Sequence, residues 1–273
     1  MSRGWLLGVM SACVVAAACA DIGTNPSVPA SIEATPLAFP SIAVGDSLRD
    51  TLGVAYPVRA VVRNIQGDVI EDAPIRYLYV QAARDTALEV DSISGHVRVL
   101  KRPASGPVQI AARFESALQV LIPLRITSDP DTVFRTESTR IVGFVPDTGR
   151  RGADENSAAV SVRVQYRDDA DAAQNVGDWL VRFVVVRPAN PTNDTTKAAF
   201  FMNDNARPTS LDTTDASGLA SRRLRMRPGI LFPAGSPTSD TVVVEARIWR
   251  RGVPVPGAPV RIAVPVLSPS TRG

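Results

Sequence analysis

A chain of 273 residues with 45% hydrophobic residues is long enough to bury the cores of two ordinary domains, and no long stretch is charged enough to stay unfolded. Thirty Lys and Arg against twenty-seven Asp and Glu give a formal charge of +3 with both signs interspersed, so no basic stripe marks a nucleic-acid partner. Aromatics at 5% leave the cores to Val, Ile, Leu and Ala, while 22 Pro and 18 Gly favour short strands and turns over long helices.

The chain opens with MSRGWLLGVMSACVVAAACADIGTNP. Arg3 precedes an apolar run from Trp5 to Ala18, shorter than the about 20 residues a helix needs to span a bilayer and suited to a secretory signal. Small residues lead directly into Cys19, and this "AAAC" resembles the lipobox of bacterial lipoproteins. The resemblance implies cleavage before Cys19, acylation of its thiol and of the new N-terminus, and attachment worth about 0.8 kcal/mol per buried CH₂. Ala16 departs from the larger aliphatic residue usual in that family. Cys13 is a competing site with a shorter apolar run, and an ordinary signal peptide is the alternative.

Cys13 and Cys19 are the two cysteines, so cleavage before Cys19 leaves one and no internal disulfide. It also removes Arg3, lowering the side-chain charge from +3 to +2 (29 against 27), so lipid and not charge is the expected anchor. Residues 1–18 are thus expected to be a cleaved signal segment and 19–30 the acylated Cys and a flexible, Pro-containing tether. The expected location is across the inner membrane, held in the envelope by lipid at the outer membrane or cell surface, with that membrane as a partner.

From Ser31 onward the chain reads as strands divided by turns. Val58–Asn64 runs into "IQGD" and then into Ala73–Val80; "HVRVL", "GPVQIAARF" and "VLIPLRIT" follow, and no segment holds a capped helical period. The second half repeats the first in order. "VRAVVRN" faces "VRVQYRD" (Val162–Asp168), "IRYLYV" (Ile75–Val80) faces "VRFVVV" (Val181–Val186), and "VQIAARF" (Val108–Phe114) faces "VVVEARI" (Val242–Ile248). "PLRIT" (Pro123–Thr127) faces "PVRIA" (Pro259–Ala263), and two acidic Ser-Gly turns, Asp91–Gly95 and Asp215–Gly218, also correspond. The common order marks an internal duplication with its boundary near Thr127–Thr132.

Strand parity assigns the faces. Val108, Ile110, Ala112 and Phe114 share one side, as do Val242, Val244, Ala246 and Ile248, leaving Glu245 and Arg247 for solvent. One dry and one wet face per strand predicts two-sheet antiparallel sandwiches, with Asp accepting backbone N–H bonds in the turns and Gly supplying positive φ.

These turns and spacings resemble the bacterial immunoglobulin-like (Big) domains of invasin- and intimin-like surface proteins. "TDASGLASRRL", "DTVVVEARI" and "VPGAPVRIAV" carry the likeness in the second half; "AVGDSLRDTL", "RNIQGDVIEDAPIRY" and "VDSISGHVRV" carry it in the first. The fold class expected is all-β, two tandem antiparallel Ig-like β-sandwiches behind the signal segment: 31–128, then 129–268 with longer loop insertions such as Arg187–Ser210, then a tail at 269–273. The resemblance implies a non-enzymatic spacer or adhesive arm.

Four constellations raise other chemistry. Gly45-Asp46-Ser47-Leu48 is similar to the signature of a lipase/esterase family, where Ser47 would be the nucleophile. A serine nucleophile needs an oriented base, and this chain has one His, His96, at a turn-to-strand junction and no Asp-x-x-His near its end; a serine esterase is the disfavoured alternative. One His also cannot build a multi-His zinc site. Calcium is the possible ion: Asp168, Asp169 and Asp171 share a loop, and Asn203, Asp204 and Asn205 resemble the Asn-Asp-Asn-x-Pro linker of cadherins, although solvated acidic loops are the plainer reading. Parity places Trp249 outward with Arg247 and Arg251, a possible binding face for protein or glycan, unless an inserted loop of the second unit covers it. Trp179 has core parity.

Overall fold

The computed structural model describes residues 28–80, 86–103, 108–136, 142–143, 155–235, 237 and 239–268. The expected signal segment, Cys19, nearly all of the expected tether and the tail lie outside these residues.

The N-terminal strands are β1 (Pro29–Ala34), β2 (Ser41–Ala43), β3 (Ala60–Asn64), β4 (Ile75–Tyr79), β5 (Leu88–Val90), β6 (Val97–Val99), β7 (Val108–Phe114) and β8 (Leu118–Thr127). One sheet runs β2-β8-β7-β4, and the β1–β3 and β5–β6 ribbons close the core opposite it. Ile110, Ala112, Ile122 and Leu124 from the sheet pack with Ala60, Leu88, Val97 and Val99 from the ribbons. The predicted face of β7 is buried throughout. Ala111, on its other face, is buried as well, because its cross-strand partners are Leu78 and Leu121 and a methyl between two leucines is covered.

The C-terminal elements are β9 (Thr132–Arg135), β10 (Val142–Gly143), β11 (Glu155–Arg167), β12 (Ala173–Asn175), β13 (Leu180–Arg187), β14 (Ala199–Met202), β15 (Leu211–Thr213), β16 (Leu219–Met226), the short α1 (Pro228–Leu231), β17 (Ser239–Arg247), β18 (Trp249–Arg250), β19 (Val253–Pro254) and β20 (Val260–Leu267). A β10-β20-β17-β13-β15 sheet packs on a β12-β11-β16-β14 sheet, with β9 also paired to β11. Phe183 and Phe201 meet in the core with ring centroids 5.6 Å apart. Among the described residues no strand of one set pairs with a strand of the other. The fold is all-β, two sandwiches in tandem.

Glu245 departs from the solvent position that parity gives it. It is 4% exposed, because Arg247 donates to its Oε2 from Nε (3.0 Å) and Nη2 (2.8 Å) while Arg261, opposite it on β20, donates to Oε1 (3.0 Å). Burial alone pushes its carboxyl up, and the two guanidinium groups more than offset this, holding it below the usual range. An outward carboxylate here is satisfied by one arginine of its own strand and one of the neighbouring strand.

The matched turns do the same work twice. Asp91 Oδ1 accepts from the N–H groups of Ile93 and Ser94; Asp215 Oδ1 accepts from those of Ser217 and Leu219. Gly95 (φ +75°) and Gly218 (φ +73°) close the turns, and a Cβ on either would lie 2.5 Å from a backbone oxygen, Val58 O or Val164 O. Asn64 and Asp168 also correspond, each accepting two backbone N–H bonds through Oδ1 from residues two and four positions on. Between glycine contact and Asx turn, the first copy is longer by two residues (58 to 64 against 164 to 168). A two-residue change preserves the inside–outside alternation.

The path of the chain is linear. Pro29 pairs with Asn64 at one pole of the first sandwich, and β2 and the end of β8 lie together at the other. In the second sandwich β20 starts beside Ala246 and ends beside Ser239. Ten residues of β8 and eight of β20, at about 3.3 Å each, run about 33 Å and about 26 Å, with the described chain ends at the poles remote from the join.

Candidate functional site

Of the residues singled out in the sequence, Ser47, Trp179, Trp249 and Arg251 come together where the two sandwiches meet. On the N-terminal side, the turn after β2 is organised by Asp46, 7% exposed. Its Oδ1 accepts from the Ser47 backbone N–H (2.8 Å) and from Arg49 Nη2 (2.7 Å), its Oδ2 accepts from Arg49 Nε (3.0 Å), and Arg49 Nη1 donates to Gly53 O (2.8 Å). The Gly-Asp-Ser-Leu stretch therefore binds its own backbone. Ser47 sits across from Arg98 in an antiparallel bridge, and no hydrogen bond joins it to His96, which is exposed at the start of β6. The base that would activate Ser47 is not positioned.

On the C-terminal side, Thr214 shapes the loop that enters the seam. Its hydroxyl donates to Val176 O (2.7 Å) and accepts from the Trp179 N–H (2.8 Å), fixing Val176–Trp179. That loop then docks: Ser41 Oγ donates to Asp178 O (2.6 Å), Thr127 Oγ1 donates to Gly177 O (2.9 Å), and Arg125 pairs with Asp178 (3.1 Å). Trp179 is 4% exposed, with Phe39 of the first sandwich edge-on at 5.2 Å. Its core parity is realised, and one of its ring neighbours comes from the other sandwich.

The third component is the β18–β19 hairpin. In the first sandwich β7 turns tightly into β8; in the second, β17 reaches β20 only after this extra hairpin. Its tip meets the linker and the first sandwich: Arg251 Nη2 pairs with Asp129 Oδ2 (3.0 Å) and Arg250 Nη1 donates to Pro130 O (3.1 Å) in the linker, and Gly252 lies against Gly53 of the first sandwich. Burial raises the Asp129 carboxyl above its ordinary value, with Arg251 and Arg250 opposing. Trp249 is half-buried and lines the seam with Ser47, Arg49 and Arg251. The cavity it lines has walls from both sandwiches. Arg247, Trp249 and Arg251 accordingly have separate surroundings: Arg247 is turned to Glu245, and Arg251 to Asp129.

The calcium candidates occupy two turns. Asp168 spends Oδ1 on the Ala170 and Ala172 N–H groups and Oδ2 on Gln174; Asp171 pairs with Arg167 at 3.2 Å. Asn203 accepts from the Asn205 and Arg207 N–H groups, and Asp204 pairs with Arg223 at 3.3 Å. Asp169 is exposed in the first of these turns. Among the described residues no three His, Cys, Asp or Glu side chains gather where an ion could sit.

Sequence reasoning missed Asp46, Phe39, Asp129 and Thr214 as seam residues. Thr214 had a signal, standing immediately before the Asp of the repeated turn, and Asp129-Pro130 lay in the expected boundary. Phe39 had none.

No protein-family model and no curated protein matches the chain. Solved structures similar to it include surface layer protein SbsC, domains 1–6 (TM-score 0.28, 11% identity, 88% of this chain and 28% of that one). Others are human protocadherin-24 EC1-2 (0.27, 12%, 88% and 98%) and Drosophila N-cadherin EC1-4 (0.27, 12%, 87% and 48%). The chain spans just over a quarter of the length of the S-layer fragment. At these scores the likeness transfers no residue and no role; the fold class rests on the strand pairing.

Proposed function

We propose that this chain is a non-enzymatic, lipid-anchored arm of the bacterial cell envelope. Residues 1–18 are its signal, Cys19 carries the lipid, 19–30 form the tether, and two Big-type sandwiches, 31–128 and 129–268, form a stiff spacer. The observation that carries this reading is the clamped seam between sandwiches whose described chain ends lie at the poles remote from the join: such a body holds its far end away from its anchor. Fractionation of cells expressing the chain and its Cys19→Ser variant is the test. Wild type belongs in the membrane fraction and is digested by protease on intact cells, while Cys19→Ser is soluble. Equal membrane retention of the two overturns the anchor.

An adhesive role is the second reading, favoured by exposed apolar side chains on both sides of the Gly53–Gly252 contact. Leu52 is 65%, Val54 61% and Val253 55% exposed, next to Trp249. Clustered apolar groups beside a Trp and arginines suit a protein or glycan partner.

A further inference from the structure

The seam contains a partly open cavity of about 20 Å³, room for one occupant of water or halide size. Its walls come from both sandwiches: Asp46, Ser47 and Arg49 from the first, Trp179, Arg182 and Trp249 from the second. The charge there does not balance. Arg49, Arg182 and Arg251 line it against Asp46 and Asp50, and adding the adjacent Arg250 and Asp129 keeps the surplus at one positive charge.

The surplus resides on one residue. Arg49 is held by Asp46, Arg251 and Arg250 by Asp129, and Asp50 Oδ1 accepts the Leu52 and Val54 N–H groups. Arg182 makes no ion pair among the described residues, and its Nε is buried with no acceptor; the Trp179 Nε1–H is likewise buried and without one. Within the cavity lining what is left unsatisfied is therefore two N–H donors and a cation, while Asp129 Oδ1, beside the cavity and 3.9 Å from Arg250 Nε, is a buried acceptor left open. A buried donor without an acceptor is costly, and here the donors are the Nε of the half-buried Arg182 and the indole N–H of the buried Trp179. The matching occupant is an acceptor that carries one negative charge and is small enough for the cavity.

We propose that the seam is a binding site for one small monovalent anion of the chloride class, held by the Arg182 guanidinium and the Trp179 indole N–H. Because its walls belong to both sandwiches, occupancy stabilises their docked arrangement by linkage. The site does not depend on the chain being an envelope arm.

The probe is chloride itself, followed by the ³⁵Cl line width of solutions of the full chain at constant ionic strength. Wild type broadens the signal, bromide removes the broadening along one saturable isotherm, and the thermal midpoint rises with chloride. Arg182→Gln removes the saturable part. Trp179→Phe keeps a ring against Phe39 but deletes the donor, and weakens affinity about threefold or more. No saturable broadening in wild type, or equal broadening in wild type and both variants, means a cavity holding water only and overturns the proposal. Should Arg182→Gln not fold, Trp179→Phe decides alone, and undiminished affinity in it is the overturning result.

Discussion

Gly95 and Gly218 show how one residue type fixes both a turn and a packing distance. Each has positive φ, and each presses its Cα face against a carbonyl oxygen of a neighbouring strand, so alanine meets backbone strain and a 2.5 Å clash together. Gly67 separates the two effects, having φ +88° with nothing within 4 Å of an added Cβ. Gly67→Ala is expected to cost about 1 kcal/mol and Gly95→Ala or Gly218→Ala about 2 kcal/mol or more by urea denaturation. Equal losses at all three would show that φ alone matters. The same scale explains Ser47. The Asp46 carboxylate beside it is committed to the Ser47 N–H and to Arg49, and the motif is a folded turn.

At the scale of elements, the β18–β19 hairpin is an addition to a duplicated plan. The β17–β20 ladder runs without it from Ser239–Leu267 to Ala246–Val260, so weakening the hairpin tip leaves the sandwich intact. Arg250→Ala combined with Arg251→Ala removes half-exposed ion pairs to Asp129, which contribute under about 1 kcal/mol each. Unfolding is therefore expected to shift little, while small-angle scattering changes from one elongated shape to a spread of inter-sandwich angles. A scattering profile identical to wild type would show that Ser41, Thr127 and the Phe39–Trp179 contact hold the seam unaided.

For the molecule as a whole, the acid response follows from the turns. Asp215 is held below the usual carboxylate range by the Ser217 hydroxyl and the Leu219 N–H, and Asp91, Asp168 and Asp194 are lowered chiefly by backbone N–H bonds. An acid with a depressed folded value binds its proton more weakly when folded. Its stabilisation is therefore complete above the unfolded value near 4 and is lost as pH falls through the folded one. Asp129, raised by burial, works in the opposite sense, gaining stability as it protonates. With four turns and Glu245 against one linker acid, the urea midpoint is expected to drop between about pH 5 and about pH 3. Asp215→Ala should have a lower midpoint at neutral pH and a shallower drop; an unchanged slope would remove the turn as a source.

The sequence by itself determined the strand class, the duplication and the inward faces of β7 and β17. Those depend on a two-residue period and on turns whose hydrogen bonds close within five residues, all local. It also showed Thr214 and Asp46 without their roles. Only the tertiary structure decided that Glu245 is buried under two arginines, that Trp249 lines a cavity with walls from both sandwiches, and that Arg182 stands without a counter-charge. The first depends on strand pairing within the second sandwich and the others on which surfaces meet at the seam, where a contact such as Ser41 with Asp178 joins residues 137 positions apart. No local period encodes that separation.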